Sequence, residues 1–263
     1  MQKIVSAEDL ADLRRAGMQR NFSPEEIPAN ISTAYAIASK MLTILSRPIA
    51  AWKLGATTAG TRKAFSTEKI YFGALTYDEI WVADQADAFR PPPIFSGEAE
   101  IAFRLATDIE TGVGTTILAS DKPEDIFDAW APAIEAPYSC VGNLPGIGLN
   151  ALLMDRCAAG ALYLGAPRSD ICDPQIEAEL EILIDDEPAA RGIAGKSLLM
   201  SPIEAALEFI NISAEWDVSL VRGQWISTGG ITPCIEIPRD SRRLSLRLGG
   251  EEVFTVKFEL VQE

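Results

Sequence analysis

Two glutamates, Glu98 and Glu100, are separated by a single residue in the segment GEAEIAF at positions 97–103. Residues two apart in a β-strand point to the same face, so this segment predicts a strand with both carboxylates on one side. The residues predicted on the other side are apolar: Ala99, Ile101, Phe103 and Leu105. The acidic side is either an exposed polar face, which is the commoner case for an isolated pair, or part of a cation site.

A third acid, Glu135, lies in the apolar stretch APAIEAPY at positions 131–138, which contains no base. We expect it on a strand that adjoins the Glu98 strand. Three carboxylates about 4 Å apart would repel each other by about 4 kcal/mol per pair at an effective dielectric constant of about 20, and a bound divalent cation would reverse that repulsion. A ligand set made only of oxygen favours Mg²⁺ or Mn²⁺.

Lys53 interrupts the apolar run AAWKLG at positions 50–55, which otherwise has the composition of a buried strand. Two interpretations are open. The side chain could extend from an edge strand so that its ammonium reaches water. It could instead be desolvated beside anions, where it would stabilise a developing oxyanion or relay a proton.

The chain of 263 residues contains no histidine. This excludes Ser-His-Asp and Cys-His nucleophilic sites, two-His-one-carboxylate iron sites and the usual His-based zinc sites. The formal net charge is −15, with no run of Lys or Arg, which argues against a nucleic-acid partner. Proton transfer is left to Asp, Glu, Lys, Tyr, Cys or water.

The amino-terminal segment has acids where a signal peptide would be apolar, and no apolar run approaches the ~20 residues that span a bilayer, so we expect a cytoplasmic protein. The four cysteines form no C-x-x-C pair, which in a reducing compartment indicates small buried hydrophobic residues. They are Cys140, Cys157, Cys172 and Cys234.

The periodicity predicts an α+β protein, because most strands are not interleaved with helices. Helices are predicted over 7–17, where Ser6 and Asp9 form a capping box, and over 31–46, 122–130, 147–158 and 202–211. Strands are predicted over 50–56, 79–84, 98–105, 160–165 and 180–185, with a turn at Asp185 and Asp186, and as a hairpin around Gly249 and Gly250. We expect a helical amino-terminal part, 1–48, and one catalytic domain, 49–263.

Several segments, in this order, resemble the fumarylacetoacetate hydrolase superfamily, and within it the 2-oxopent-4-enoate hydratase and 4-oxalocrotonate decarboxylase branch. The segment 97–103 is similar to the family's V-E-[AG]-E-I-A-F, and 133–135 to its A-[IF]-E. Residues 52–55 resemble W-K-[IV]-G, 34–39 resemble A-Y-A-I-Q, and 228–232 resemble T-G-S-L-T. Asp155 with Gly160 resembles the start of D-N-A-S-S-G.

The resemblance implies a fumarylacetoacetase C-terminal-like fold, a mixed β-sandwich or roll flanked by helices. It implies a lyase of aromatic or related catabolism that works through a metal-bound enolate of a small 2-oxo or 2-hydroxydienoic acid, by hydration in preference to decarboxylation. Its site residues would be the metal ligands Glu98, Glu100 and Glu135, then Lys53 beside the enolate oxygen, and Thr228 and Gly229 at the substrate. A homo-oligomer, or association with a related subunit, is also implied.

Three departures from the family pattern bear on the chemistry. Tyr71 replaces the family aspartate, and we take it with Asp155 as a further catalytic candidate. Arg156 follows Asp155 where the family has asparagine, and a substrate with a second carboxylate would be expected if that guanidinium faced the ligand. The His-Glu pair of the superfamily's C–C hydrolases cannot be formed here. A second hypothesis is a non-catalytic paralogue that serves as a partner subunit.

Overall fold

The computed structural model describes residues 4–82, 96–110, 122–171, 177 and 179–258. Its helices are α1 (Ala7–Arg15), α2 (Ile31–Leu45), α3 (Ala59–Phe65), α4 (Pro123–Ile126), α5 (Leu149–Met154), α6 (Ala194–Ser197) and α7 (Pro202–Glu215). Its strands are β1 (Ile49–Gly55), β2 (Tyr71–Thr76), β3 (Ile80–Val82), β4 (Ser96–Leu105), β5 (Phe127–Ala136), β6 (Ala161–Leu164), β7 (Glu179–Ile184), β8 (Glu187–Ile193), β9 (Trp225–Ser227), β10 (Ile235–Glu236), β11 (Arg243–Leu248) and β12 (Glu251–Lys257).

The strands form two sheets, a large mixed one and a smaller antiparallel one. The large sheet has the order β2-β1-β9-β4-β5-β6-β3, with β10 paired to β4, and the smaller sheet has the order β12-β11-β7-β8. Strands β1 and β9 are parallel, whereas β4 is antiparallel to both β9 and β5. The predicted α+β class is therefore confirmed.

One apolar core joins the two sheets and α7. Ile101 and Phe103 of β4 lie in it together with Phe209 of α7 and Leu246 of β11, and all four are buried. The side chains of β4 therefore alternate between its two faces as predicted. The apolar face packs in this core, and the other face carries the two glutamates. Burial of that face fixes the strand register, because a one-residue slip would turn every core side chain outwards.

The ends of several elements follow from local chemistry. Ser6 and Asp9 form the predicted capping box of α1, and Asn30 caps α2 through the backbone N–H of Thr33. The predicted turn at Asp185 and Asp186 and the hairpin between β11 and β12 are both present. Helices α1 and α2 precede β1, while the division into parts 1–48 and 49–263 stays a prediction.

Three sequence-based expectations are corrected. The helix predicted over 122–130 is helical only to Ile126, because the following residues alternate and pair with β4 as strand β5. The helix predicted over 147–158 ends at Met154, and Arg156–Ala158 form a turn with left-handed backbone angles, φ 53°, 54° and 56°. Helix α7 runs to Glu215, beyond the expected end.

The cysteines are only partly as predicted. Cys140 and Cys157 are buried free thiols, but Cys234 is exposed in the loop directly before β10. Cys172 lies outside the described residues. Among the described helices, none is both long and apolar enough to cross a bilayer.

Candidate active site

Three glutamates meet on adjacent strands of the large sheet. Glu98 of β4 is the register partner of Glu135 of β5, and Glu100 follows two residues along β4 on the same face. One carboxylate oxygen from each of the three lies within 4.8 Å of the others. Glu100 and Glu135 are fully buried and Glu98 is partly buried. Strand pairing therefore assembles a compact carboxylate triad.

The buried carboxylates are incompletely satisfied by the described part of the protein. Glu100 accepts hydrogen bonds at Oε2 from the Ser227 hydroxyl and the Gly229 N–H, but its Oε1 has no partner. Among the described residues no hydrogen bond is donated to either oxygen of Glu135, and the positive charge that faces it is Lys53 Nζ, 3.2 Å from Oε2. Buried polar atoms are normally paired. The orphaned oxygens and the all-oxygen donor set fit a divalent cation.

Lys53 supplies a buried positive charge beside the triad. It lies on β1 as the register partner of Ser227 on β9, and it is only 7% exposed. Burial acts to lower the pKa of Lys53, but the carboxylates of Glu135, Glu98 and Glu100 outweigh it, so the pKa is raised. With all three acids ionised, the four side chains carry a net charge of −2, which one divalent cation would neutralise.

Without a cation, the triad holds protons more strongly than ordinary carboxyls do. Burial and the neighbouring charges of Glu98 and Glu135 raise the pKa of Glu100 well above its usual range. Burial raises the pKa of Glu135 to about 7, against the opposing charge of Lys53. Burial likewise raises the pKa of Glu98. The cause is common to all three, because desolvation penalises the charged form.

Lys53 and Glu98 line a cavity of about 820 Å³, while Glu100 and Glu135 lie behind them and are not among its lining residues. Tyr71 also lines it, and its ring lies over Gly55, its register partner on β1, where a Cβ would come within 1.9 Å of the ring. Burial raises the pKa of Tyr71, so the phenol stays protonated at neutral pH. The structure thus brings Tyr71 and Lys53 to the same cavity.

The segment after β9 approaches the acids through its backbone. A Cβ on Gly230 would lie 2.2 Å from Glu98 Oε2, and one on Gly229 would lie 1.9 Å from Thr57 Oγ1. Gly229 also has φ +103°, a region that side chains disfavour. Thr228 donates its hydroxyl to the Ile101 carbonyl at 2.8 Å and so anchors the segment to β4. Gly229 and Gly230 line the cavity.

Asp155 and Arg156 are not among the residues that line this cavity. The Asp155 carboxylate is fully buried and bonds Arg14 Nε at 2.6 Å, the Ser139 hydroxyl at 2.6 Å and the Cys140 N–H at 2.8 Å. The Arg156 guanidinium makes a two-point pair with Glu79, at 2.9 and 2.7 Å. Asp155 therefore holds α1 in place, and Arg156, which also donates to the Ala74 carbonyl at 3.1 Å, holds β2 and the segment after it, rather than facing the triad.

Sequence reasoning missed Ser227 and Arg14. Ser227 directly precedes the segment 228–232 that resembles a family motif, and it bonds Glu100 across 127 positions of the chain. Arg14 lies in the last turn of α1, where a basic residue is ordinary for a helix end. Nothing in a local pattern marks either residue, because both contacts depend on tertiary packing.

Comparisons with known proteins agree on this architecture. No family model matches the chain. The chain is 24% identical over 212 residues to the TodF product hydratase of Pseudomonas putida, covering 79% of this chain and 77% of that protein. Its fold is similar to that of 4-oxalocrotonate decarboxylase from Pseudomonas putida G7, complexed with magnesium and adipate, with a TM-score of 0.78, 16% identity and coverage of 98% and 100% of the two chains. The chain has the fold of the fumarylacetoacetate hydrolase superfamily.

A second solved structure supports the same assignment. Fumarylpyruvate hydrolase from Pseudomonas aeruginosa, in complex with Mn²⁺ and pyruvate, matches with a TM-score of 0.58 and 14% identity over 82% of this chain and 91% of that one. The resemblance to this superfamily and to its hydratase and decarboxylase branch, recognised in the sequence, is confirmed. These relatives are a hydratase, a decarboxylase and a hydrolase, and both of these solved structures hold a divalent metal ion together with a small organic acid.

Proposed function

We propose that this protein is a divalent-metal-dependent hydro-lyase that adds water to a small 2-hydroxydienoic or 2-oxo acid, in the manner of a 2-oxopent-4-enoate hydratase. The observation that carries the proposal is the carboxylate triad beside a buried lysine, in which Glu100 Oε1 and both oxygens of Glu135 accept no hydrogen bond from the described residues. The likeness to the TodF product hydratase over 212 residues supports hydration as the reaction.

Glu98, Glu100 and Glu135 would hold Mg²⁺ or Mn²⁺. When bound, such a cation supplies a Lewis acid that polarises the 2-oxo group and a template for the substrate carboxylate. Hydrogen bonds from Ser227 and Gly229 hold the Glu100 carboxylate in one orientation and so keep its second oxygen free for a ligand. The assay described below compares Mg²⁺ with Mn²⁺.

Lys53 would stabilise the negative charge that develops on the substrate's 2-oxygen as it becomes an enolate. Its raised pKa keeps it an ammonium at neutral pH, so it acts as a fixed positive charge and a hydrogen-bond donor rather than as a base. Its burial makes that charge effective, because water does not screen it. Glu135, 3.2 Å away, holds the ammonium in position.

Tyr71 would move the proton that the Lys53 ammonium cannot. Its phenol lines the cavity and is protonated at neutral pH, so it can donate its proton to a substrate carbon, and the phenolate then takes the proton that the water releases as its oxygen bonds the other carbon. The backbone of Gly229 and Gly230 would line the substrate beside Glu98.

The proposal is tested with metal-stripped protein supplied with Mn²⁺ or Mg²⁺ and 2-hydroxypenta-2,4-dienoate, following the loss of dienol absorbance. We expect turnover that a chelator abolishes and that either metal restores. Glu135→Gln should lose most metal affinity, and Lys53→Met should lower kcat by about 10²-fold or more while the metal still binds. Turnover that persists in both variants would overturn the assignment of these residues.

A parallel assay of CO₂ release from 2-oxohex-3-enedioate separates decarboxylation from hydration. We expect hydration to be the faster reaction. Release of CO₂ as the faster, chelator-sensitive reaction would replace hydratase with decarboxylase. Absence of any turnover with either compound, despite bound metal, would contradict an enzymatic role and favour the partner-subunit hypothesis.

A further inference from the structure

Two chemically different groups of residues line the cavity. Lys53, Glu98 and the backbone of Gly229 and Gly230 form the group at the acids. An apolar group, here called the wall, comes from α3, α5 and the loop between β5 and α5 and consists of Phe65, Val141, Leu144 and Leu152. Hydroxyl and amide side chains, among them Gln19, Thr58, Thr61 and Ser139, line the same cavity. A substrate whose carboxylate and 2-oxo group lie at the acids leaves its remaining carbons in the cavity that contains this wall.

Tyr71 links the apolar wall to the group of residues at the acids. Its ring packs edge-on against Phe65, with ring centroids 5.9 Å apart at 81°, and its hydroxyl senses the charge of Lys53. Tyr71 also belongs to the same apolar cluster as the wall residues. The wall thus begins at Tyr71, the residue to which we assign proton transfer. The tail of a bound acid would start at the same place.

The wall is a formed surface. Val141 is 2% exposed and Leu152 is 5% exposed, so both are held in the apolar cluster, and Phe65 and Leu144 pack against it as partly buried residues. A cavity of about 820 Å³ lies within the ~300–1,000 Å³ of sites that enclose drug-sized ligands, so it has room for a tail beyond five carbons.

The charges favour a tail without a second carboxylate. Lys53 is the single Lys or Arg among the described residues that line the cavity, and Glu135 already engages it. Arg156 is committed to Glu79. A second carboxylate on the substrate tail would be desolvated against Phe65, Leu144 and Leu152 without a cationic partner among the described residues, which is costly.

We propose that the site takes 2-oxo acids that end in a bulky apolar group, branched alkyl or aryl, with Phe65, Val141, Leu144 and Leu152 as the residues that determine this specificity. This inference rests on the proposed function for the placement of the carboxylate and 2-oxo group at the acids. It goes beyond that function by naming the chemical class of the tail.

Binding of 2-oxo acids that cannot be hydrated tests the proposal without turnover. Protein saturated with Mn²⁺ is titrated calorimetrically with pyruvate, 4-methyl-2-oxopentanoate, phenylpyruvate and 2-oxoglutarate. We expect the branched and aryl acids to bind about tenfold or more tightly than pyruvate, and 2-oxoglutarate to bind no better than pyruvate. Equal affinities for the first three acids, or tightest binding of 2-oxoglutarate, would overturn the proposal.

Variants of the wall connect the preference to its residues. Phe65→Ala should reduce the ratio of phenylpyruvate affinity to pyruvate affinity by about fivefold or more, and Leu144→Arg should make 2-oxoglutarate the preferred acid over 4-methyl-2-oxopentanoate. Val221→Ala removes an exposed apolar side chain that is not among the cavity-lining residues, and it should keep the wild-type ratios. Unchanged ratios in both wall variants, with folding verified by thermal unfolding, would remove these residues from the proposal.

The two proposals fail in different ways. If 2-hydroxypenta-2,4-dienoate is hydrated but the tail preference is absent, the specificity inference fails and the hydratase assignment stands. If the tail preference is present but no dienoic acid is hydrated, the site binds apolar 2-oxo acids and the assigned reaction fails.

Discussion

The hydroxyl of Ser227 donates a hydrogen bond to Oε2 of Glu100, the same oxygen that accepts the N–H of Gly229. Two donors on one oxygen fix the carboxylate plane and leave Oε1 without a partner among the described residues. Ser227 lies on β9, between the strand that carries Lys53 and the strand that carries Glu100. Strand β9 therefore positions the carboxylate of a proposed metal ligand that β4 supplies.

Replacing Ser227 by alanine should weaken cation binding. Loss of the hydroxyl leaves Glu100 Oε2 with one donor and free to rotate, and removal of such a supporting hydrogen bond typically costs 10–100-fold in metal affinity. We expect a decrease of about that size for Mn²⁺ in Ser227→Ala, measured by calorimetric titration. Ser227→Thr retains a hydroxyl and should recover most of the affinity.

A buried serine elsewhere provides the control for Ser227. Ser213 of α7 bonds the Ile210 carbonyl inside its own helix and makes no contact with the triad. Ser213→Ala should therefore leave the Mn²⁺ affinity unchanged. Equal affinities in Ser227→Ala and wild type would show that Glu100 does not depend on this hydrogen bond.

Gly230→Ala should disturb Glu98. The added Cβ would lie 2.2 Å from Glu98 Oε2, so the carboxylate has to move out of the triad. We expect a drop in Mn²⁺ affinity of about tenfold or more with little change in thermal stability, because the displaced side chain is partly exposed. Gly60→Ala is the matched control, since its Cβ would meet only Thr58 Oγ1 at 3.8 Å. An affinity as high in Gly230→Ala as in Gly60→Ala would contradict this geometry.

The acids of the site were predictable because their pattern is local. Glu98 and Glu100 share a face through the two-residue period of a strand, and that period is visible in seven residues of sequence. The pairing of Glu98 with Glu135 was less accessible. The apolar context of Glu135 predicted a third acid on an adjoining strand, but its position directly opposite Glu98 depends on the register of β4 and β5, which a single sequence does not contain.

Long-range contacts and unusual backbone geometry explain the misplaced residues. Arg156 follows Asp155 in sequence, yet the left-handed turn over Arg156–Ala158 sends its guanidinium to Glu79 and leaves Cys157 and Ala158 at the cavity. Three consecutive residues with positive φ are rare outside glycine, so local propensity predicts a helix here instead. Tertiary packing thus overrides the periodic signal over 155–158.

The metal-free protein should lose stability as pH rises from 5 to 8. The carboxyl pKa of Glu135 is raised from 4.5 to about 7 in the folded state, so the folded protein holds a proton that the unfolded chain has released. Because the folded state binds more protons in this window, the free energy of unfolding falls with increasing pH, on the order of 2–3 kcal/mol for this group. Lys53, with a raised pKa, and Glu79, with a lowered one, contribute little change between pH 5 and 8.

Urea unfolding at both pH values, with and without Mn²⁺, measures this effect. Saturating Mn²⁺ should restore stability at pH 8, because the cation replaces the proton as the neutralising charge. Glu135→Gln should reduce the pH dependence of the metal-free protein, since an amide carries no charge to desolvate, and the part that comes from the raised pKa values of Glu98 and Glu100 should remain. A metal-free wild type that becomes more stable from pH 5 to 8 would contradict the assignment.

Asp155→Asn should lower the free energy of unfolding rather than change the chemistry of the site. The Asp155 carboxylate neutralises Arg14, and the two side chains are 0% and 6% exposed, so the substitution leaves a buried guanidinium without its counter-charge. Breaking a buried pair in this way costs about 3–5 kcal/mol. Asp128→Asn breaks an exposed pair with Arg104 and should cost about 1 kcal/mol or less. Urea unfolding of both variants measures the difference.

Under conditions where Asp155→Asn remains folded, its Mn²⁺ affinity and the pH profile of its turnover should match those of the wild type. A variant as stable as wild type with an altered pH profile would instead make Asp155 a participant in proton transfer.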